Sequence, residues 1–210
     1  MSPFGRRQRD EPRRGTPSDL LVVGLGNPGA QYKGTRHNMG VEVVEALAAR
    51  HDGRLRKGKE LALADEVRIG ESRVALAWPQ TFMNNSGDSV RLLVSRYGIE
   101  DPARLVVVHD ELDLPVGRLK LKLGGGLAGN NGLKSIKAHL GTDEFARVRV
   151  GIGKPSSARQ GVDHVLRPPG KAERTELDVV VQEAADAVEL ILDAGFEAAM
   201  NRYNTARSAD

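Results

Sequence analysis

Three short polar stretches hold most of the chemically versatile side chains in this 210-residue chain. Thr35-Arg36-His37-Asn38 offers an imidazole, Met83-Asn84-Asn85-Ser86 two adjacent amides, and His109-Asp110-Glu111 with Asp113 three closely spaced acids. A fourth amide, Asn27, follows the apolar run Leu20–Val23, at the carboxyl end of a first strand, where open α/β sheets place ligands. Taken singly, each has a structural explanation: Asn38, Asn85 or Ser86 can cap a helix, and Asp113 suits a turn. Taken together, they suit hydrolysis by water. A neutral imidazole accepts a proton from water, and a carboxylate on its other nitrogen fixes the tautomer and stabilises the imidazolium. Side-chain amides donate to a developing oxyanion or hold peptide groups. The chain has no cysteine, no G-x-S-x-G elbow and no H-E-x-x-H spacing, which argues against nucleophile triads and zinc hydrolases. No metal or other cofactor is expected.

The elements that must position these groups are legible as periodicities. Strand-like runs occupy 20–24, 61–69, 72–78, 104–109, 117–123 and 145–152, rich in Val, Leu and Ile. Helical spacing fits 39–51, 86–97, 131–140, about 171–193, and 195–203. Strands alternating with helices predict an α/β fold: a single three-layer domain with a central mixed, mostly parallel sheet and helices on both faces. Lys120 and Lys122 alternate in one strand and Arg147 and Arg149 in another, as solvent-facing positions do.

Gly24, Gly26 and Gly29 match the G-x-G-x-x-G dinucleotide fingerprint literally, but that motif works only if a helix opens inside the loop. Gly34 and Gly40 follow too soon, and the helical pattern starts near Met39, so a nucleotide-dependent oxidoreductase is set aside. These glycines are expected instead to let a loop pass closely over a substrate. Residues 1–18 hold five arginines against two acids, with Pro and Gly but no apolar segment, and read as a disordered basic tail before a domain at 19–210. Net charge is +3, all of it accounted for by that tail. No stretch is long and apolar enough to span a membrane, and the lack of cysteine suits a reducing cytoplasm.

The stretches GLGNPGAQYKGTRHNMG (24–40), PQTFMNNSG (79–87), HDELDLPVGRLKLKLGGG (109–126), NGLKSI (131–136) and FARVRVGIGKP (145–155) resemble the bacterial-type peptidyl-tRNA hydrolases. That resemblance implies a cytoplasmic, monomeric, cofactor-free enzyme that cleaves the ester between peptide and tRNA, with His37 as general base and Asp110 as its support. It implies Asn27, Tyr32, Met83, Asn84 and Asn131 as substrate contacts, Met83 on the wall of the peptide channel. Lys122 and Arg149 become the cations that hold the tRNA 5′-phosphate. One position departs: where the family has a second histidine before the 131–140 helix, this chain has Asn130, which cannot become cationic. An RNA-binding relative that kept the fold and lost turnover is the alternative.

Overall fold

The computed structural model describes residues 16–155, 157 and 161–205. Residues 1–15 of the expected tail lie outside that range. Ser18, assigned above to the tail, is buried and donates from its hydroxyl to Glu66 Oε2 at 2.6 Å, so the folded chain begins before residue 19.

Seven strands form one sheet: β1 (Leu20–Gly24), β2 (Arg56–Lys57), β3 (Ala62–Ile69), β4 (Ser72–Pro79), β5 (Leu105–Glu111), β6 (Leu119–Leu123) and β7 (Ala146–Gly151), in the order β2-β3-β4-β1-β5-β7-β6. The pairs β4/β1, β1/β5 and β5/β7 are parallel, while β2/β3, β3/β4 and β6/β7 are antiparallel. The sheet is therefore mixed with a parallel centre, and "mostly parallel" overstates it. The two-residue turn between β3 and β4 is too short for the crossover that parallel neighbours need, and β7 inserts between β5 and β6, parallel to the first and antiparallel to the second.

Helices α1 (Met39–Arg50), α5 (Lys171–Ala194) and α6 (Phe196–Asn204) cover one face; α2 (Ser86–Tyr97) and α3 (Asn131–Leu140) cover the other. The central strands feed both cores alternately. Val22, Val106 and Val108 enter the first, and Leu21, Val23, Leu105 and Val107 the second. Burial on both faces explains why β1 and β5 read as unbroken apolar runs. A short helix, α4 (Gly161–Val165), and the two-residue β2 complete the fold; neither carries a periodic signal in the sequence.

Glycine at 24 and 40 serves packing here. A Cβ on Gly24 would stand 2.1 Å from the Gly40 carbonyl oxygen, and one on Gly40 would stand 2.2 Å from that of Val108. These residues let the start of α1 lie directly on β1 and β5. Gly26 and Gly29 flank Asn27 in the loop after β1, and no helix opens within residues 24–29. At the free edge of β6, the Asn204 side chain of α6 accepts from Leu121 N–H at 2.7 Å and donates to Leu121 C=O at 2.8 Å.

Candidate active site

β1, β4 and β5 run in parallel, so their carboxyl ends share one rim of the sheet. Asp110, next to last in β5, is buried there. His37 sits in the single 3-10 turn Arg36–Asn38 that precedes α1, and its Nδ1 lies 3.0 Å from each Asp110 carboxylate oxygen. With a carboxylate as partner, Nδ1 carries the proton and Nε2 holds the lone pair, an assignment made from the hydrogen-bond pattern. Burial is the largest single influence on His37 and disfavours its charged form. The charge and hydrogen bond of Asp110 together outweigh it, holding the imidazole above its ordinary pKa.

Asn27 is fixed from three directions. Its Oδ1 accepts from Met83 N–H at 2.8 Å. Asn38 grips its backbone, accepting from Asn27 N–H at 2.9 Å and donating to Asn27 C=O at 3.0 Å. With Oδ1 turned toward Met83, the Asn27 NH2 group remains as the donor. Asn38 thus occupies the cap position of α1 without capping it. Its amide ties the β1 loop to the turn that carries His37. Asn85 likewise stands before α2 without a side-chain cap bond, and Ser86 donates to Met83 C=O at 2.8 Å.

A cleft of about 620 Å³ opens over the pair, and six of the expected residues line it: Asn27, His37, Met83, Asn84, Asp110 and Asn131. Exposed Phe82, Leu112, and Val162, Val165 and Leu166 from α4 and the residue after it supply apolar walls. The α4 wall is anchored by Arg36, one residue from His37. Its guanidinium makes two 2.5 Å contacts with the Glu173 carboxylate and donates to the carbonyls of His164, Arg167 and Pro168. Arg36 in turn holds the Glu173 carboxyl below its ordinary pKa. Sequence reasoning missed Arg36, Asn38 and α4; the only signal was an arginine and an asparagine flanking the one histidine of interest.

Tyr32, Lys122 and Arg149 fall outside the cleft lining. Tyr32 is half-buried in a 3-10 turn, where its carbonyl accepts from the Thr35 hydroxyl. Arg149 is not free at the surface: Nε and an NH2 group lie 3.0 and 2.9 Å from Glu111 Oε2, and Glu111 is itself buried and lines the cleft. Arg147, read above as solvent-facing, is only 2% exposed. Period-2 alternation places Lys120, Lys122, Arg147 and Arg149 on one face, but loop residues 124–126 cover that face at Arg147.

A family model described as peptidyl-tRNA hydrolase matches residues 21–210. The chain belongs to the peptidyl-tRNA hydrolase family. The peptidyl-tRNA hydrolase of Frankia alni is 50% identical over 184 residues, covering 88% of this chain and 93% of that protein. That of Pseudarthrobacter chlorophenolicus is 48% identical over 191 residues, covering 90% and 97%. The crystal structure of the peptidyl-tRNA hydrolase from Acinetobacter baumannii superposes with a TM-score of 0.85 at 36% identity, covering 93% of this chain and all of that one. Within this peptidyl-tRNA hydrolase fold, Asn130 has a defined place. It is the N-cap of α3, its Oδ1 accepting from Leu133 N–H at 3.1 Å, at the rim of the cleft.

Proposed function

We propose that this chain hydrolyses the ester joining a peptide to tRNA through the His37–Asp110 pair, acting as a monomer in the cytoplasm. The observation that carries the mechanism is the His37 Nδ1–Asp110 contact at 3.0 Å at the floor of the cleft. Nε2 removes a proton from water as the water oxygen bonds to the ester carbonyl carbon. The carbonyl π electrons move to oxygen, where an amide N–H such as that of Asn27 stabilises the charge. Collapse of the tetrahedral intermediate breaks the carbon–oxygen bond to the ribose, and the imidazolium returns the proton to the departing ribose oxygen. Asp110 stays ionised throughout and stabilises the cationic imidazole.

Met83 and the α4 residues suit an apolar channel for the peptide, while Asn84 and Asn131 present amides that pair with peptide groups whatever their side chains. Tyr32, in the 3-10 turn Ala30–Tyr32 between Asn27 and His37, is a further substrate contact of this reading. Lys122 faces the tRNA, and Arg149 supports that face through Glu111.

The test is hydrolysis of N-acetyl-aminoacyl-tRNA by the purified chain, with unblocked aminoacyl-tRNA as control. Turnover of the blocked substrate alone is expected. No turnover of either, with tRNA still bound, would favour the inactive RNA-binding relative.

A further inference from the structure

We infer that Ser135 is a positioning residue for peptide binding: from α3, its hydroxyl caps α2 and so fixes where Asn84 stands relative to Asn131. The inference rests on the peptide-binding role proposed above for those two amides.

A helix leaves its first N–H groups without partners of its own, and the residue before it commonly supplies a side-chain acceptor. Asn85 stands before α2 and supplies none. The acceptor comes instead from the neighbouring helix. Gly87 N–H, in the first turn of α2, donates to Ser135 Oγ at 2.9 Å, and both residues are buried. The other end of the same stretch is held as well, since Met83 N–H donates to Asn27 Oδ1 at 2.8 Å. Asn84, exposed on the cleft, therefore sits between two buried backbone anchors, one on the β1 loop and one on α3.

Ser135 lies four residues after Asn131, on the same side of α3. The helices meet there without slack. A Cβ on Gly87 would stand 2.2 Å from Ser135 O and 2.4 Å from His139 Nδ1, and one on Gly132 would stand 2.6 Å from Met83 Sδ. His139 braces the same crossing: Nδ1 lies 2.8 Å from Ser135 O, and Nε2 lies 2.9 Å from Asp88 Oδ1 in the first turn of α2. Ser135 is not part of the cleft lining, so it reaches the substrate only through the amides it places.

Ser135→Ala leaves a buried N–H without an acceptor, a state that folded chains avoid. The first turn of α2 cannot move closer to α3, so it regains a partner only by shifting toward water, and Asn84 moves with it. Ser135→Thr keeps the hydroxyl and is the restoring variant.

The first readout is steady-state hydrolysis of N-acetyl-aminoacyl-tRNA. In Ser135→Ala, KM is expected to rise about tenfold, the upper worth of one hydrogen bond to a peptide group, with kcat within about twofold. Deacylated tRNA, which carries no peptide, should compete equally well against both proteins. The second readout needs no turnover: hydrogen exchange at the Gly87 amide, and the 15N–1H signal of the Asn84 side-chain amide. Ser135→Ala should speed that exchange roughly tenfold or more and shift the Asn84 signal. Ser135→Thr should return KM, exchange and signal to their parent values.

A lowered Tm with KM unchanged overturns the inference, because the bond would then serve stability alone. A fall in kcat at constant KM, weaker competition by deacylated tRNA, or a Ser135→Thr variant that matches Ser135→Ala overturns it too. A parent chain that fails to cleave N-acetyl-aminoacyl-tRNA overturns the proposed function instead, and the Gly87 exchange with the Asn84 signal still decides the positioning.

Discussion

Gly40→Ala tests whether the packing of α1 on the sheet sets the catalytic geometry. The new methyl would stand 2.2 Å from Val108 O, 2.6 Å from Leu25 N and 2.8 Å from Leu25 O, where ordinary contact begins near 3.4 Å. All three neighbours are backbone atoms of central strands or their immediate continuation, so the helix must give way, by about 1 Å. His37 lies three residues before Gly40, and Asp110 two residues after Val108. The same retreat therefore draws the imidazole off its carboxylate, taking a 3.0 Å contact beyond effective hydrogen-bond reach. A misplacement of that size costs roughly 10²-fold in rate. Overpacking of this kind costs about 1–3 kcal/mol, and at roughly 2–4 °C per kcal/mol for a chain of this size the melting temperature falls correspondingly. The assay is kcat on N-acetyl-aminoacyl-tRNA together with calorimetric Tm, with Gly170→Ala, where nothing lies within 4 Å of the added methyl, as reference. A lowered Tm with kcat within threefold of the parent would refute the link between helix seating and catalysis, and no change in either would refute the packing itself.

His37→Ala should lower kcat by ~10²–10⁴, the usual contribution of a general base, with Asp110→Ala non-additive to it; single-turnover rates of the three variants check this. With the neutral imidazole as the proposed active form, kcat/KM should rise with pH through the elevated His37 pKa. Asp110→Asn removes the charge that raises it, so burial prevails and the acid limb moves to lower pH as the plateau falls; a pH series on both proteins reads this directly. Asn130→His should cost about 1 kcal/mol through loss of the α3 cap, visible in Tm, while changing kcat by less than about tenfold. Arg149→Met strands the buried Glu111 carboxylate and should cost about 3–5 kcal/mol, whereas Lys122→Ala should leave stability within roughly 0.5 kcal/mol; parallel urea titrations separate the two.

Long periodic elements were legible because one physical cause dominates each of them. The starts of α1, α2 and α3 at Met39, Ser86 and Asn131 follow the expected ranges to the residue, since apolar spacing and a preceding polar break agree there. The His37–Asp110 pairing was legible through the family resemblance, and strand-end chemistry offered only a candidate carboxylate partner: nothing in spacing alone joins positions 73 residues apart. Features built by side chains crossing the fold escaped. Five residues of α4 carry no period, and Arg36 supplies their anchor from far away in sequence. Alternation in β7 correctly put Arg147 and Arg149 on one face but could not show that a loop covers one and a carboxylate holds the other. Asn38 read as a cap because a helix follows it; its hydrogen bonds go instead to Asn27, which only the fold brings near.

The Asn204 amide on β6 bears on how the chain behaves in a crowded solution. An edge strand leaves backbone donors and acceptors open to any passing strand, and such edges are routes to aggregation. The carboxamide presents the same donor and acceptor as a peptide group, so it satisfies Leu121 as a neighbouring strand would, while offering nothing further to pair with. The helix that ends the described fold thereby blunts the sheet with a single side chain. A chain shortened before Asn204 would expose a pairing site at Leu121 flanked by Lys120 and Lys122, leaving like-charge repulsion between copies as its main remaining protection.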